Sequence, residues 1–390
     1  MIALAACPGC GGTTREPVCE VNGLVLLASM RDSPLCRYEY ALCRSCGLVY
    51  ATCRPEGDEL TYLYSRFDEV LGRADDEETA ARQDAVSDAE RASIAARLSR
   101  GWLVTEEGNP SDDAWMPDVF EERVLNSFHV NVVGSLVPVE GKRVLELRAT
   151  TGFMLDVLRR RYGAAEVFAM PMSERHALII DALNPMPTAM IDFDRLDVPF
   201  EGSFDLILAR HMLTHALEPG RLWRLLADRV PDGGFVYFYL ENDDRFMFEA
   251  RRKNLIGELK AFHFQNFDLD TLARMLRFNG FEPVFVRHPR PGKSEMVCAA
   301  RRDARVRPAA MPEAAFNERL AMYRRWRELS VLSLPPEVQA LFGDEVGDMA
   351  RRAEAAGLGA SGRDGRFALR KPLRVMHEAG YTKLNERQAS

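Results

Sequence analysis

The hydrophobic positions between residues 141 and 300 follow two alternating patterns. Short apolar runs, such as Val144 to Leu147, are followed by stretches with apolar residues three or four apart, such as Leu155, Leu158 and Tyr162. The first pattern is typical of buried strands and the second of helices packed on one face. Their alternation predicts an α/β fold, with a mostly parallel sheet covered by helices on both faces.

The same patterns place individual elements along the chain. They predict strands at 143–147, 166–170, 188–191, 204–209, 234–240, 281–287 and 294–299, the last two forming a hairpin. They predict helices at 120–136, 313–330 and 335–356, and a loop at 357–365. Near the N-terminus, strands are expected at Leu24 to Leu27 and Tyr38 to Leu42.

Seven of the eight cysteines lie within the first 60 residues, and four of them are paired. Cys7 and Cys10 form one Cys-x-x-Cys turn and Cys43 and Cys46 form another, each followed by glycine. Two such turns supply four soft thiolate ligands for a tetrahedral zinc ion. Redox-active dithiols are the alternative, but one turn would suffice for that chemistry and neither has a thioredoxin-like context. The spacing predicts one closed structural zinc site in a zinc ribbon.

We therefore divide the chain into four segments: a zinc ribbon at 1–60, a helical segment with an acidic insertion at 61–135, a Rossmann-like domain at 136–300 and a helical C-terminal extension at 301–390. Asp68 to Glu90 carries nine acidic residues and two arginines, which favours a solvated face or a mobile insertion. The C-terminal extension is interpreted as solvated, and a contact with the acidic 68–90 segment, in the same chain or in a protein partner, is the weaker alternative.

Composition narrows the class of protein. A net charge of −7 argues against a general nucleic-acid or membrane-surface binder. No apolar run reaches membrane-spanning length, and Met1 to Ala6 is too short for a signal peptide, so we expect a cytoplasmic protein. Eight cysteines in 390 residues do not indicate a secreted disulfide scaffold.

The stretch after the first predicted strand carries the candidate chemistry. Glu146 lies near the end of the strand and Gly152 precedes the helix, which places a tight loop at a helix N-terminus. This stretch resembles the first motif of class I S-adenosylmethionine-dependent methyltransferases. Together with the cysteine turns, residues 1 to about 300 resemble the sugar C-methyltransferases of deoxysugar pathways, which join a zinc ribbon to such a domain.

The resemblance implies a set of functional residues. S-adenosylmethionine would bind at Glu146 and Gly152, with Asp194 near the adenine amino group. His215 and His263 fall on histidines that help to remove a proton next to a ketone, and imidazole can do so near neutral pH. The implied substrate is a small molecule, such as a nucleotide-linked sugar.

Other interpretations of the histidines stay open. His215 is equally well explained as a helix-start residue bonded to the backbone, and His263 as a buried histidine with one hydrogen bond. His211 and His215, four residues apart, would share one helical face, but a metal site there lacks a third ligand.

Three positions depart from the family pattern. Arg148 stands at the first loop glycine, Met170 lies where an acid should bind the ribose, and Phe262 replaces the glutamate before His263. Arg148 either closes the cofactor site or binds an anionic group of another ligand. These departures predict weak S-adenosylmethionine binding or none. Two hypotheses follow: an active methyltransferase, or a degenerate fold that serves as a binding or assembly module.

Overall fold

The computed structural model describes residues 2–20, 39–54, 128–171, 174–191, 196–214, 216, 218–240, 243–250, 264–289, 295–334, 339–361 and 367–370. The chain divides into two compact units. The first unit combines Met1–Gly72, Asn242–Met275 and Ala309–Ser390, and the second combines Arg73–Glu241 with Leu276–Pro308. The four-segment division of the sequence stays a prediction.

The described strands are β1 (Ile2–Ala3), β2 (Arg15–Glu20), β3 (Glu39–Cys43), β4 (Val49–Ala51), β5 (Cys53–Arg54), β6 (Arg143–Ala149), β7 (Glu166–Pro171), β8 (Leu206–Arg210), β9 (Phe235–Leu240), β10 (Gln265–Asn266), β11 (Phe281–Arg287), β12 (Met296–Arg302), β13 (Gly359–Ser361) and β14 (Phe367–Leu369). The described helices are α1 (Phe153–Tyr162), α2 (Glu174–Leu183), α3 (Pro219–Arg229), α4 (Leu269–Phe278), α5 (Glu313–Leu332) and α6 (Glu345–Ala355). Residues 128–136 are also helical, Phe246–Ala250 form a π-helical turn and Ala340–Phe342 a 3₁₀ turn.

The second unit is built on a six-stranded sheet in the order β11-β12-β9-β8-β6-β7. The pairs β7–β6, β6–β8 and β8–β9 are parallel, and β12 lies antiparallel between β9 and β11. All five residues of β8 are buried, as expected for a central strand covered on both faces. The predicted α/β fold with a Rossmann-like sheet is confirmed.

The local sequence explains where the helices that follow β6 and β8 begin and end. Helix α1 begins after Gly152 and ends at Gly163, whose φ values of 66° and 73° favour glycine. Asp156 lies in its first turn and basic residues lie in its last, an arrangement that complements the helix dipole. Helix α3 begins with Pro219. Proline has no N–H group, but the first position of a helix does not need one for an intrahelical hydrogen bond.

Two predicted elements are wrong. The strand expected at 188–191 is reduced to a single parallel bridge between Thr188 and Ala169. The N–H groups of Ala189 and Ile191 still donate to the carbonyls of Ala169 and Pro171, but Pro171 and Pro187 have no N–H with which to complete a longer ladder. In the expected loop at 357–365, residues 359–361 instead pair with β14.

The first unit contains a four-stranded sheet in the order β10-β4-β3-β2, with antiparallel pairs throughout. Helix α5 packs against β2 and buries Phe316, Leu320, Tyr323 and Trp326. The interpretation of the C-terminal region as a solvated extension is therefore wrong for α5, because one face of this helix belongs to a core. The predicted strand at 24–27 and the acidic stretch at 68–90 lie outside the described residues.

Within these ranges, none of the helices combines the length and the apolarity that crossing a bilayer requires.

Candidate functional site

The four paired cysteines come together in the first unit. Their sulfur atoms all lie within 4.8 Å of one another, with 3.6 Å between the Sγ atoms of Cys7 and Cys46 and between those of Cys10 and Cys43. A tetrahedron with metal–sulfur bonds of about 2.3 Å has edges of about 3.8 Å, so the four thiolates fit a zinc ion. Hydrogen bonds from Cys10, and then from Cys46 and Cys7, lower the pKa of the Cys43 thiol, whereas hydrogen bonds from Cys10 and Cys43 raise the pKa of the Cys46 thiol.

Backbone geometry produces this convergence. Gly11 and Gly47 follow the second cysteine of each turn with φ values of 74° and 78°, and their N–H groups donate to the carbonyls of Cys7 and Cys43. Only glycine adopts this conformation without strain, so the sequence signal was the glycine after each pair.

Residues distant in sequence hold the second turn in place. Arg274 Nη1 donates to the Cys46 carbonyl at 2.9 Å, and the Met311 N–H donates to the Ser45 carbonyl at 2.7 Å. Sequence reasoning missed these contacts, because nothing in the spacing of the cysteines identifies Arg274 or Met311. The cysteine site is therefore supported by three separate chain segments.

The second candidate site lies at the carboxyl end of β6. Arg148 was expected in the loop after this strand, but it lies within β6, at a register shift between Leu147 and Ala149 in the pairing with β7. Its φ of 60° is in the left-handed region, which a side chain occupies at a cost of roughly 1–3 kcal/mol. The backbone at Arg148 therefore adopts the left-handed conformation that the family's loop glycine would favour, although the residue is arginine.

The remainder of the loop is also fixed. Gly152 has a φ of 66°, and an added Cβ there would lie 3.1 Å from Met186 Cε and 3.3 Å from Ile180 Cγ2. Asn184 Nδ2 donates to the Thr151 carbonyl at 2.9 Å, which ties the loop to the end of α2. The predicted role of Gly152 in a tight loop therefore has a structural basis.

Glu146 is completely buried and forms an ion pair with Arg210 from the end of β8. Arg210 Nε donates to Glu146 Oε1 at 2.8 Å, and Arg210 Nη2 donates to the same oxygen. Glu146 Oε2 is also buried and accepts no hydrogen bond from the described residues. A buried carboxylate oxygen without a donor is costly, and a ligand with an N–H or O–H group would relieve that cost.

The Arg148 side chain reaches the neighbouring strand end. Its Nη1 donates to the His211 carbonyl at 3.3 Å. His211 has a φ of 54°, so it lies in a turn and not on the helical face that was predicted for His211 and His215. Two arginines, Arg148 and Arg210, thus lie where β6 and β8 end.

Of the remaining predicted site residues the structure describes Met170, which pairs with Leu147 where β7 runs beside β6. Met170 lies at the end of β7 and is fully buried, and it supplies no carboxylate. His215, His263 and Asp194 lie outside the described residues.

A histidine that sequence reasoning overlooked lies beside β9. His129 is buried, and its Nδ1 is 2.6 Å from the Tyr237 hydroxyl, while its ring centroid is 4.5 Å from that of Tyr239. Burial, and then the charges of Arg210 and His211, lower the pKa of His129 to about 3. Burial raises the pKa of Tyr237. Tyr237, Phe238 and Tyr239 of β9 are buried in the sheet core, and a histidine among apolar residues gave no separate signal in the sequence.

Comparison with known proteins identifies the domain that carries this site. Residues 129–286 match a family described as a methyltransferase domain. The chain is 28% identical over 121 residues to a ubiquinone biosynthesis O-methyltransferase of Albidiferax ferrireducens, covering 29% of this chain and 47% of that protein. For the enzyme of the same name from Paracidovorax citrulli the identity is 24% over 160 residues, covering 39% and 61%. The chain thus spans about half the length of these curated relatives.

Solved structures of methyltransferases resemble this chain with low TM-scores. An S-adenosylmethionine-dependent methyltransferase from Mesorhizobium loti has a TM-score of 0.36 and 18% identity, covering 50% of this chain and 100% of that one. An O-methyltransferase family protein from Burkholderia thailandensis has a TM-score of 0.38 and 19% identity, covering 55% and 70%.

Residues 129–286, which match the methyltransferase-domain family, contain most of the Rossmann-like sheet, including the strand and loop at Glu146 to Gly152.

Proposed function

We propose that this protein is a methyltransferase that uses S-adenosylmethionine to methylate a small molecule. The observation that carries the proposal is Glu146 Oε2, a buried carboxylate oxygen with no donor among the described residues. It lies in the strand that leads to the loop with left-handed residues at Arg148 and Gly152. This is the loop that resembles the cofactor motif.

The fit of the cofactor to these residues is partial. Glu146 and the loop at Gly152 would hold its methionine part, and Arg148 would supply a cation for the carboxylate. Met170 supplies no acceptor for the ribose hydroxyls. When bound, S-adenosylmethionine supplies an electrophilic methyl sulfonium. The protein would align the acceptor, exclude water and remove the acceptor's proton.

For proton removal we propose His215 and His263, on the basis of the family resemblance alone. Two classes of methyl acceptor can be tested in separate activity assays. The resemblance favours a carbon acceptor on a nucleotide-linked sugar, whereas the curated relatives carry the name of an O-methyltransferase, which favours a hydroxyl acceptor.

A second candidate function is a degenerate domain that binds a partner without the cofactor. Two observations favour it: the missing carboxylate at Met170 and the ion pair that occupies one oxygen of Glu146. Binding of the cofactor is therefore the property that separates the two functions.

The deciding experiment is calorimetric titration with S-adenosylhomocysteine. We expect the wild-type protein to bind weakly, with a dissociation constant above the low micromolar range. Met170→Glu should strengthen binding about tenfold to a hundredfold, because a charged hydrogen bond contributes roughly 1.5–3 kcal/mol. Glu146→Gln, which keeps the shape of the side chain, should weaken binding.

The outcomes of the titration separate the hypotheses. No binding by the wild type at millimolar ligand, with binding restored in the double variant Arg148→Gly and Met170→Glu, would identify a methyltransferase cleft that has lost its cofactor. No binding by either protein would overturn the proposal.

We also propose one structural zinc ion per chain, held by Cys7, Cys10, Cys43 and Cys46. The spacing of the four sulfur atoms and the two glycine turns support this assignment. Four thiolates leave no open coordination position, so this zinc would stabilise the fold and take no part in the reaction.

A further inference from the structure

The first unit contains a cavity of about 540 Å³ between α5, the first residues of α4 and the π-helical turn. Its walls are unusually rich in charge, with four arginines and four acidic residues: Arg245, Arg274, Arg319, Arg325, Glu249, Asp268, Asp270 and Glu318. Met311, Met322 and Trp326 supply an apolar part of the lining. The cavity thus offers both charge and apolar surface to a ligand.

Most of these charges are neutralised within the wall. Arg245 pairs with Glu249 at 3.2 Å and with Glu318 at 3.1 Å. Arg319 pairs with Asp268, and both side chains are more than nine-tenths buried. These pairs use three of the four acidic residues of the lining, and Asp270 forms no ion pair among the described residues.

Two arginines of the lining have donors that remain unused among the described residues. Arg325 is exposed and has no ion-pair or hydrogen-bond partner in that part of the chain, whereas its exposed neighbour Arg324 pairs with Glu16 at 3.7 Å. The Nε atom of Arg319 is buried and donates to no acceptor in the described structure. A buried guanidinium donor without an acceptor is costly, and an anion in the cavity would supply the acceptor.

We propose that this cavity binds a small organic anion, a carboxylate or a phosphate monoester with an apolar body. Arg325 and the free Nε of Arg319 would bind the anionic oxygens, and Met322 and Trp326 would contact the apolar body. The proposal does not depend on methyltransferase activity, since it uses only groups that line this cavity.

The test is calorimetric titration of the full-length, zinc-loaded protein with four probes: benzoate, phenyl phosphate, inorganic phosphate and benzyl alcohol. We expect at least one of the two aromatic anions to bind, and whichever binds identifies the anionic group. Benzyl alcohol should not bind, because it carries no charge. Arg325→Gln should weaken anion binding at least tenfold, since a charge-assisted hydrogen bond is lost.

Arg324→Gln is the matched control, because this exposed residue lies next in sequence and does not line the cavity. It should leave anion binding unchanged. Equal weakening by the two variants, or no binding of either aromatic anion at millimolar concentration, would overturn the proposal. Inorganic phosphate binding as tightly as phenyl phosphate would also overturn it, because the apolar lining would then contribute nothing.

Discussion

The imidazole of His129 is enclosed by aromatic side chains, and this location controls its proton affinity. The ring contacts Tyr237 and Tyr239. The positive charge of Arg210 disfavours protonation of the His129 ring. The folded protein therefore keeps His129 neutral down to a pH of about 3. An unfolded chain has no such enclosure, so its histidine takes up a proton near its ordinary pKa of about 6.5.

This difference predicts a loss of stability in acid. Between pH 6.5 and pH 3 the unfolded chain binds more protons at this position, so the free energy of unfolding falls as the pH is lowered. The contribution is at most about 1.4 kcal/mol per pH unit. His129→Gln, which offers Tyr237 a hydrogen-bonding partner and does not titrate, should have a shallower dependence between pH 6 and pH 4 in urea unfolding.

Tyr237→Phe is the control for this measurement, because it removes the hydrogen bond and keeps the imidazole. Its pH dependence should follow that of the wild type. If His129→Gln and the wild type lose stability in parallel, burial of the neutral histidine does not contribute.

At this scale the sequence predicted some features and missed others for physical reasons. The glycine turns of the cysteines and the loop at Gly152 were predictable, because few residues adopt a positive φ. The partnership of Glu146 with Arg210 was not, since it joins the ends of two strands 64 residues apart. No local pattern encodes that distance.

At the scale of elements, prolines and packing decide where the predictions fail. Alternating hydrophobicity placed β6, β7, β8 and β9 within a few residues of their observed bounds. The strand expected after α2 is reduced to one bridge because Pro187 and, in β7, Pro171 have no N–H to donate to the ladder. Helix α5 was found from its periodicity, but its burial depends on β2, far away in the sequence.

The zinc site leads to a prediction about the first unit. Cys10→Ser should remove zinc and destabilise the sheet that holds β3 and β4, because a structural metal contributes folding free energy directly. Elemental analysis should find one zinc per wild-type chain and much less in the variant. Thermal unfolding should begin at a lower temperature.

Cys53→Ser provides the matched control, since Cys53 does not belong to the four-sulfur cluster. This variant should retain its zinc. Wild-type protein purified without zinc, with four reactive thiols at these positions, would contradict the prediction.

At the scale of the whole molecule, neither compact unit is a single stretch of chain. The first unit takes its material from three segments and the second from two. Within the first unit, Met311 binds the second cysteine turn and Arg44 lies 4.7 Å from the centre of the Phe316 ring. Residues that follow Pro308 are thus part of the structure that surrounds the second cysteine turn.

Truncation after Pro308 tests this architecture. We expect the shortened chain to lose zinc affinity and solubility, because removal of α5 exposes the apolar side of β2. A shortened protein that stays soluble and retains one zinc per chain would show that the C-terminal region is dispensable. The matched control is Arg351→Ala, an exposed change within α6 that should have little effect.

The first unit is assembled from three separate chain segments, and this affects when it can fold during synthesis. A ribosome releases the N-terminal cysteine turns early, but the helix that covers their sheet is synthesised only near residue 332. At about 5–20 residues per second, the interval lasts roughly 15–60 s. During that time the nascent cysteines and the apolar sheet are without their native cover. The growing chain therefore presents chaperones and cellular zinc with an incomplete domain until α5 has been synthesised.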